Sequence, residues 1–273
     1  MTGAQPSTLP SVFSCLWKNK ELVVQLTSRE IVGRYRGSIF GLLWSFFNPV
    51  FMLAVYTFVF SVVFRARWGR EVTHPADFAL FVFTGMLVHS IFGECINRGP
   101  RLVLDNPNYV KKVIFPLEIL PWVSMGSALF HMLVSVLVLM LFMLVAGHEF
   151  HWTIVLSPVV VAPFVLLTMG LSWWLAGTGV YLRDLGQITG VLTMVLLFMS
   201  PVFYPVDSLP EAYRYVFYLN PLTFIIEQFR QVLLWGNAPD WRGLSLYLAF
   251  GLACAWAGLY WFQKTRHGFA DVV

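Results

Sequence analysis

Apolar residues gather along this chain into long blocks, separated by short polar or charged stretches. A helix needs about 20 mostly apolar residues to cross a hydrocarbon core of about 30 Å. Most of the blocks reach that length, and charged residues such as Arg36, Arg98 and Lys264 stand at their ends. The pattern predicts six membrane-spanning helices, at about 39–64, 78–97, 117–146, 152–182, 185–199 and 244–262.

Two further segments follow other patterns. Over residues 16–36, apolar and charged positions mix with helical spacing, which predicts an amphipathic helix at the membrane surface. Over residues 205–235, prolines cut an aromatic-rich stretch into two pieces, 211–220 and 222–235, that are each too short to cross. We interpret these pieces as a re-entrant or interfacial helical hairpin before the last span.

Together these elements predict an all-α integral membrane protein with three regions. Residues 1–36 form a cytoplasmic tail and the interface helix, residues 37–265 form the transmembrane domain, and residues 266–273 form a second cytoplasmic tail. If the N-terminus is inside, cytoplasmic segments carry 12 of the 18 Lys and Arg residues and outer segments carry 6. This excess predicts a multi-pass membrane protein with both termini in the cytoplasm.

Composition agrees with lipid as the main solvent. Hydrophobic residues make up 58% of the 273 positions and charged residues only 12%, whereas a soluble domain carries about 25% charged residues. The net charge of +4 does not indicate nucleic-acid binding, because the basic residues cluster at the ends of apolar blocks. Two glycine pairs, Gly37 with Gly41 and Gly186 with Gly190, have the spacing that lets helices pack closely, within the chain or between two copies.

The predicted spans lack the residues that ion-coupled transport or catalysis would need. Their central parts hold no Asp, Glu, Lys or Arg, and we interpret the deep residues His89 and His131 as packing residues. The chain has no Gly-x-x-x-x-Gly-Lys-Ser/Thr phosphate loop, and His148–His151 does not have the spacing of a His-Glu-x-x-His metal site. We therefore predict that the chain is not an enzyme, holds no cofactor or metal, and obtains the energy for transport from elsewhere.

Three stretches in register carry a resemblance to a known family. They are Tyr35–Pro49 followed by Tyr56–Phe60, then Tyr181–Leu185, and then Ser200–Pro205 followed by Leu219–Leu222 and Glu227–Arg230. Over about residues 16–265 the chain resembles the membrane-spanning subunits of ABC-2 type exporters. Within that family it is most similar to the branch that exports O-antigen, capsule and teichoic acid polysaccharides.

This resemblance implies a homodimeric pore, with two copies of a separate ATP-binding subunit that hold ATP and Mg on the cytoplasmic side. It also implies a polysaccharide on an undecaprenyl-type lipid as the substrate, and the bacterial cytoplasmic (inner) membrane as the location of the chain. By the same likeness, the interface helix, the connector after span two and the turn after span four would dock on the ATP-binding subunit. Simple anchoring at the membrane surface is the alternative for these charged segments. The docking residues would be Asp105, Asn106, Pro107, Asn108, Tyr109, Lys111, Lys112, Arg183 and Asp184.

Aromatic residues crowd the predicted outer half of the membrane. They have two interpretations: an aromatic belt at the interface, or a pore lining on which sugar rings slide without fixed hydrogen bonds. The candidate pore residues are Tyr56, Phe60, Phe203, Tyr204, Tyr218 and Phe224. At the inner surface, Arg34 and Arg36, together with Lys111 and Lys112, are candidates for binding the anionic pyrophosphate head of the lipid carrier.

Other functions stay open from the residues alone. An exporter of drugs or small lipids in the same family would need a closed substrate pocket. A non-transporting scaffold would show no ATP-driven flux, and a lipid-modifying enzyme would need a catalytic cluster. The sequence favours ATP-driven export of a lipid-linked, O-antigen-like polysaccharide across the inner membrane.

Overall fold

The chain folds into a helical bundle. The computed structural model describes residues 9–63, 77–110 and 115–272. Over these residues the chain contains no β-strand, as the apolar blocks predict. The α-helices of the described residues are α1 (Leu9–Lys18), α2 (Lys20–Arg34), α3 (Trp44–Tyr56), α4 (Asp77–Arg98), α5 (Pro107–Val110), α6 (Leu120–Val145), α7 (Ser157–Gly179), α8 (Leu185–Phe198), α9 (Glu211–Leu219), α10 (Pro221–Leu233), α11 (Trp241–Thr265) and α12 (Phe269–Val272).

Five helical segments of the described chain are long and apolar enough to cross a membrane. Helix α8 is also apolar but has only 14 residues. The predicted all-helical membrane fold is therefore confirmed, and α8 lies where the fifth span is predicted; a total of six crossings stays a prediction. The five long segments are Gly41–Phe60, Asp77–Arg101, Leu117–Val145, Trp152–Gly179 and Trp241–Val272.

The first span begins later than the predicted residue 39. Residues 35–40 form turns, and Gly37 and Gly41 adopt φ angles of 86° and 51°, which glycine tolerates and most other residues do not. Helix α3 therefore starts after these turns, and it continues as a π-helix over Thr57–Val63. A Cβ atom at either glycine would meet nothing within 4 Å, so this pair shapes a turn and mediates no helix contact within the chain.

Helix α4 lies at the centre of the bundle. In its most apolar window 78% of the residues are buried, against 50% or less in the other four long segments. It packs against α6, α7, α8 and α10. Outside this centre, α7 and α11 approach closely, because a Cβ at Gly258 would lie only 2.0 Å from the carbonyl oxygen of Gly170. A Cβ at Gly190, from the second predicted glycine pair, would meet nothing within 4 Å.

One end of the bundle, called here the connector end, gathers the end of α4, the α7–α8 turn and the end of α11. Helix α4 runs into a 3-10 turn at Gly99–Arg101, which packs against α7 and α8. The Tyr181 hydroxyl donates to the Thr265 carbonyl at 2.8 Å, and the Trp261 indole N–H donates to the Thr178 hydroxyl at 2.9 Å. These bonds hold the α7–α8 turn against the last span.

The opposite end, called the hairpin end, carries α9 and α10. As predicted, the segment before the last span forms two short helices, and Asn220 separates them. Its side-chain oxygen accepts from the Leu222 N–H at 3.0 Å, while its amide donates to the Met199 carbonyl at 3.0 Å and the Ser200 hydroxyl at 2.9 Å. Helix α10 is packed on α4 and α7, whereas α9 has no buried residue. The depth of the hairpin in a membrane stays a prediction.

The α6–α7 turn, which contains the two histidines of His148–His151, also contacts the hairpin end. His148 Nε2 lies 3.2 Å from an Asp77 carboxylate oxygen, and the Thr153 hydroxyl donates to the Val232 carbonyl at 2.7 Å. The His151 ring instead packs beside Gly236. The two histidines therefore face different parts of the structure.

The N-terminal region differs from the single amphipathic helix predicted over residues 16–36. Asn19, whose side chain donates to the Cys15 carbonyl at 2.9 Å, separates α1 from α2. The apolar residues of α2 are spread around the helix, so that Val23 is buried and Val24 is 66% exposed. Helix α2 packs on α6 as part of the bundle.

Residues 266–272, predicted as a tail, fold against the connector end. Arg266 Nη1 lies 2.8 Å from a Glu118 carboxylate oxygen at the start of the third long segment. Phe269 in α12 is buried, and its ring lies 6.2 Å from that of Tyr181. The last residues thus belong to the packed structure.

Candidate functional site

At the connector end, three segments that are distant in sequence meet around one open cleft. The turn and connector after α4 form one side, the α7–α8 turn forms another, and the C-terminal segment forms the third. The cleft has a volume of about 450 Å³ and is lined by Pro100, Arg101, Leu104, Asp105, Pro107, Arg183 and Val272. The structure therefore brings predicted docking residues from the connector and from the α7–α8 turn to one place.

The connector itself is built from short local hydrogen bonds. The Asn106 side-chain amide donates to the Leu102 carbonyl at 2.9 Å, and the Asn106 carbonyl accepts from the Tyr109 N–H at 3.0 Å, which starts α5. The Tyr109 ring stacks on Phe115 with centroids 4.2 Å apart and planes 7° from parallel. This stack joins α5, which contains Tyr109, to the residue Phe115 just before the third long segment.

The other predicted docking residues divide into two groups. Asn108, Arg183 and Asp184 are exposed at the connector end, with Asp184 directly before the first residue of α8. Lys111 and Lys112 lie outside the described residues, so their part in docking or in head-group binding stays a prediction.

A cluster of ionic side chains joins α2 to the same end of the bundle. Arg34 forms an ion pair with Glu94 of α4, and Glu30 forms one with Arg98. A second Glu94 contact reaches Arg98 at 3.6 Å, and His131 Nδ1 of α6 lies 3.9 Å from the other Glu94 oxygen. The charges of the two carboxylates and the two guanidinium groups cancel, and the contacts of the cluster fix α2 on α4 and α6.

This cluster changes the picture of the predicted head-group residues. Arg34 is already paired within the chain, whereas Arg36 is exposed in the turn that follows α2. Between them, the Tyr35 hydroxyl lies 3.0 Å from His131 Nε2, and burial raises the pKa of that hydroxyl, which keeps it neutral. Of the two arginines, Arg36 is the one whose side chain is presented outward, and head-group binding by either stays a prediction.

Three of the six candidate pore aromatics form one cluster toward the hairpin end. The ring of Phe60 lies 6.3 Å from Tyr56, stacks on Phe203 at 6.1 Å and lies 5.0 Å from Phe78 at the start of α4. Phe198, at the end of α8, extends the cluster with its ring 5.9 Å from Phe203. The cluster therefore joins the first span, α4 and the segment after α8.

Of the other three candidate aromatics, Tyr204 lies beside this cluster, whereas Tyr218 and Phe224 contact other parts of the structure. The Tyr204 ring contacts Phe217 at 5.9 Å, and its hydroxyl donates to the Phe198 carbonyl. Tyr218 is 65% exposed on α9, and Phe224 stacks on Tyr247 at 5.8 Å between α10 and α11. The six residues do not form one continuous surface within a single chain.

Arg230 was not among the predicted site residues, and it is the most buried charged residue of the described chain. Its side chain is 0% exposed. It donates to the Phe81 carbonyl at 2.8 and 3.2 Å, to the Val202 carbonyl at 3.2 Å and to the Glu227 carboxylate at 3.0 Å. Arg230 thereby ties α10 to α4 and to the segment after α8. The signal was the Glu227–Arg230 spacing of three residues on a short helix, which pairs side chains on one face.

Comparison with known proteins matches the chain to one family of membrane transporters and to several of its members. Residues 21–234 match the model of the family described as ABC-2 type transporter. The chain is similar to the O-antigen export system permease protein RfbA of Myxococcus xanthus, with 29% identity over 94% of this chain and 97% of the relative. It is also similar to RfbA of Klebsiella pneumoniae, at 25% identity over 93% and 95% of the two chains. A third relative is the polysialic acid transport protein KpsM of Escherichia coli, at 25% identity over 88% and 92%.

Proposed function

Because the chain belongs to the ABC-2 type transporter family, we propose that it is the membrane-spanning permease subunit of an ATP-driven exporter. Its substrate is a lipid-linked polysaccharide of the O-antigen type, which it passes across the bacterial inner membrane. The observation that carries this proposal is the similarity, over nearly the full length of both chains, to O-antigen export permeases and to a polysialic acid transport protein.

The energy source in this proposal is a separate ATP-binding subunit that holds ATP and Mg. The ionic residues of the described long segments support it, because Glu94, Arg98 and Glu118 lie near the connector end and pair there with other side chains. His89, at greater depth, forms a hydrogen bond of 3.0 Å between its ring nitrogen and the Thr193 carbonyl. A chain that is driven by ion flow would need partnered charges near the midplane.

The ATP-binding subunit docks, in this proposal, at the connector end, which faces the cytoplasm with both termini. Two copies of the chain form the pore, with one ATP-binding subunit under each. Asp105, Pro107 and Arg183 support this placement because they line one open cleft. Movement of the partner on ATP binding pushes on the connector, and the connector is continuous with α4 through the Gly99–Arg101 turn.

The polysaccharide leaves, in this proposal, past the aromatic cluster of Tyr56, Phe60 and Phe203. Flat apolar rings offer weak, repeated contacts along a polymer, whereas strong hydrogen bonds would hold it in place. Arg36 at the connector end binds the pyrophosphate of the undecaprenyl-type carrier, because a guanidinium matches phosphate oxygens in charge and geometry.

The experiment that tests this proposal is reconstitution of the chain with its ATP-binding subunit in lipid vesicles. ATP should move lipid-linked polysaccharide to the face where an impermeant sugar-oxidising reagent can reach it, and the polymer should stimulate ATP hydrolysis. A partner whose phosphate-loop lysine is replaced by alanine is the control and should give no movement. ATP hydrolysis that responds to small amphiphiles and ignores the polymer would indicate a drug or lipid exporter. A failure to form any complex would overturn the permease assignment.

A further inference from the structure

The C-terminal segment Arg266–Val272 forms a wall of the open cleft at the connector end. Val272 lines this cleft together with Asp105 of the connector and Arg183 of the α7–α8 turn. The segment follows the last long helix directly, as a 3-10 turn at Arg266–Gly268 and then α12. Its place in the cleft does not follow from the apolar pattern of the sequence.

Two anchors hold this segment in place. Arg266 contacts the Glu118 carboxylate at 2.8 Å and donates from its other terminal nitrogen to the Phe115 carbonyl at 3.0 Å. Phe115 is also the residue on which Tyr109 of α5 stacks. Arg266 therefore links the C-terminal segment to the connector through Phe115, so that the two walls of the cleft hold their positions relative to each other.

The second anchor is Phe269, which is buried. Its ring lies 5.5 Å from Phe262 of α11 and 6.2 Å from Tyr181 of the α7–α8 turn. The backbone of Gly268 passes close to the Tyr181 hydroxyl, since a Cβ at this glycine would lie only 2.3 Å from it. The segment is thus packed against α11 and the α7–α8 turn.

The residues exposed around the cleft indicate a protein occupant. Charged side chains of both signs, Arg101, Arg183 and Asp105, line it and mark a water-facing surface. Beside them, Leu182 is 57% exposed and Val272 is 41% exposed. Two guanidinium groups and one carboxylate lie beside these apolar side chains, so a purely apolar or a purely anionic ligand would match only part of the surface. A protein surface that carries both charges and apolar side chains matches this mixture.

We infer that the C-terminal segment Arg266–Val272 is part of the surface on which the ATP-binding subunit docks, beside the connector and the α7–α8 turn. This inference rests on the proposed function, since it takes the ATP-binding subunit as the partner. Arg266 is a positioning residue in this arrangement, because it holds the C-terminal segment against Phe115 at the base of the connector.

Site-specific photo-crosslinking of the assembled complex tests the inference while both anchors, Arg266 and Phe269, stay in place. A benzophenone amino acid is placed singly at Val272, at Leu104 of the connector wall, and at Tyr215, an exposed residue of α9 at the hairpin end. We expect crosslinks to the ATP-binding subunit from the first two positions at comparable yield and none from Tyr215. Crosslinks from Leu104 with none from Val272 would overturn the inference and leave the proposed function standing.

Two other outcomes are also decisive. The loss of crosslinks at both Leu104 and Val272 would count against docking at this end and therefore against the proposed function. A crosslink from Val272 to the glycolipid in place of the protein would make the third wall a substrate surface and would overturn the inference.

A charge exchange tests the positioning role of Arg266. Arg266→Glu and Glu118→Arg should each lower the amount of ATP-binding subunit retained on the purified chain about tenfold, and the double exchange should restore most of it. Lys264→Glu is the matched control, because Lys264 is exposed at the same end and lies two residues away. Equal losses in the double exchange and the single variants, or an equal loss in the control, would refute the role of this pair.

Discussion

Replacement of Arg230 by methionine tests whether this buried arginine holds the hairpin on the bundle. Methionine keeps a similar length and removes every hydrogen bond to the Phe81 and Val202 carbonyls and to Glu227. Export should fall, because α10 would lose its fixed position against α4. The control is Arg242→Met, since Arg242 is an exposed arginine at the same end of the bundle.

The magnitude follows from the contacts. A hydrogen bond from a charged group contributes about 1.5–3 kcal/mol, but neighbouring contributions are not additive. Breaking a buried ionic contact by removing one partner costs about 3–5 kcal/mol in soluble proteins. The Arg230 side chain is 0% exposed, and two of its acceptors are backbone carbonyls that would be left without this donor. We therefore expect a destabilisation of about 4 kcal/mol, near the middle of that range.

The assay is thermal denaturation of the purified chain in detergent, followed by the fraction that stays monodisperse. A loss of about 4 kcal/mol should lower the apparent melting temperature by about 10 °C, whereas Arg242→Met should change it by less than about 2 °C. Arg230→Met combined with Glu227→Gln should be less damaging than the single change, since no unpaired carboxylate is then left. Equal melting temperatures for Arg230→Met and Arg242→Met would refute the tie between α10 and α4.

Three further changes test other parts of the structure. Gly258→Val should lower the yield of folded protein, because a Cβ there would lie 2.0 Å from a backbone oxygen of α7. Gly190→Ala, where a Cβ would meet nothing within 4 Å, should be neutral or slightly stabilising. Equal yields of the two variants would contradict the close α7–α11 packing. Glu94→Gln should loosen α2, by no more than about 1 kcal/mol because its partners are partly exposed, and should speed proteolysis within α2; unchanged cleavage would count against the cluster. Phe203→Leu should slow export while the complex with the ATP-binding subunit still forms and hydrolyses ATP; full export would remove Phe203 from the pore.

Much of the fold could be predicted because lipid imposes a simple rule on sequence. Long apolar blocks must be helical, since backbone polar groups find no water in the hydrocarbon core. Prolines marked the division of the hairpin into two helices, and in the structure Asn220 caps the second helix, α10, with its side-chain oxygen 3.0 Å from the Leu222 N–H. Local rules of this kind place element ends to within a few residues.

What could not be predicted depends on contacts between distant segments. The glycine spacing pointed to Gly186 and Gly190, but within the described chain α7 and α11 approach closely at Gly170 and Gly258, because a crossing point is set by how two helices meet. Packing of Gly186 and Gly190 between two copies stays a prediction. Arg34 was interpreted as a head-group ligand from its position alone. In the structure it pairs with Glu94, which lies 60 residues away along the chain. Charge patterns within one segment contain no information on such partners.

The position of α4 suggests how an ATP-binding subunit at the connector end could move the hairpin end. This helix has 22 residues and is therefore about 33 Å long, comparable to the thickness of the hydrocarbon core. It continues into the Gly99–Arg101 turn at the connector end, and near its other end the Phe81 carbonyl accepts two hydrogen bonds from Arg230 of α10. A displacement of the connector would thus reach the hairpin along one buried, continuous helix. On this argument Arg230→Met should reduce export per ATP hydrolysed even at temperatures where the chain stays folded, because the hairpin would no longer follow α4.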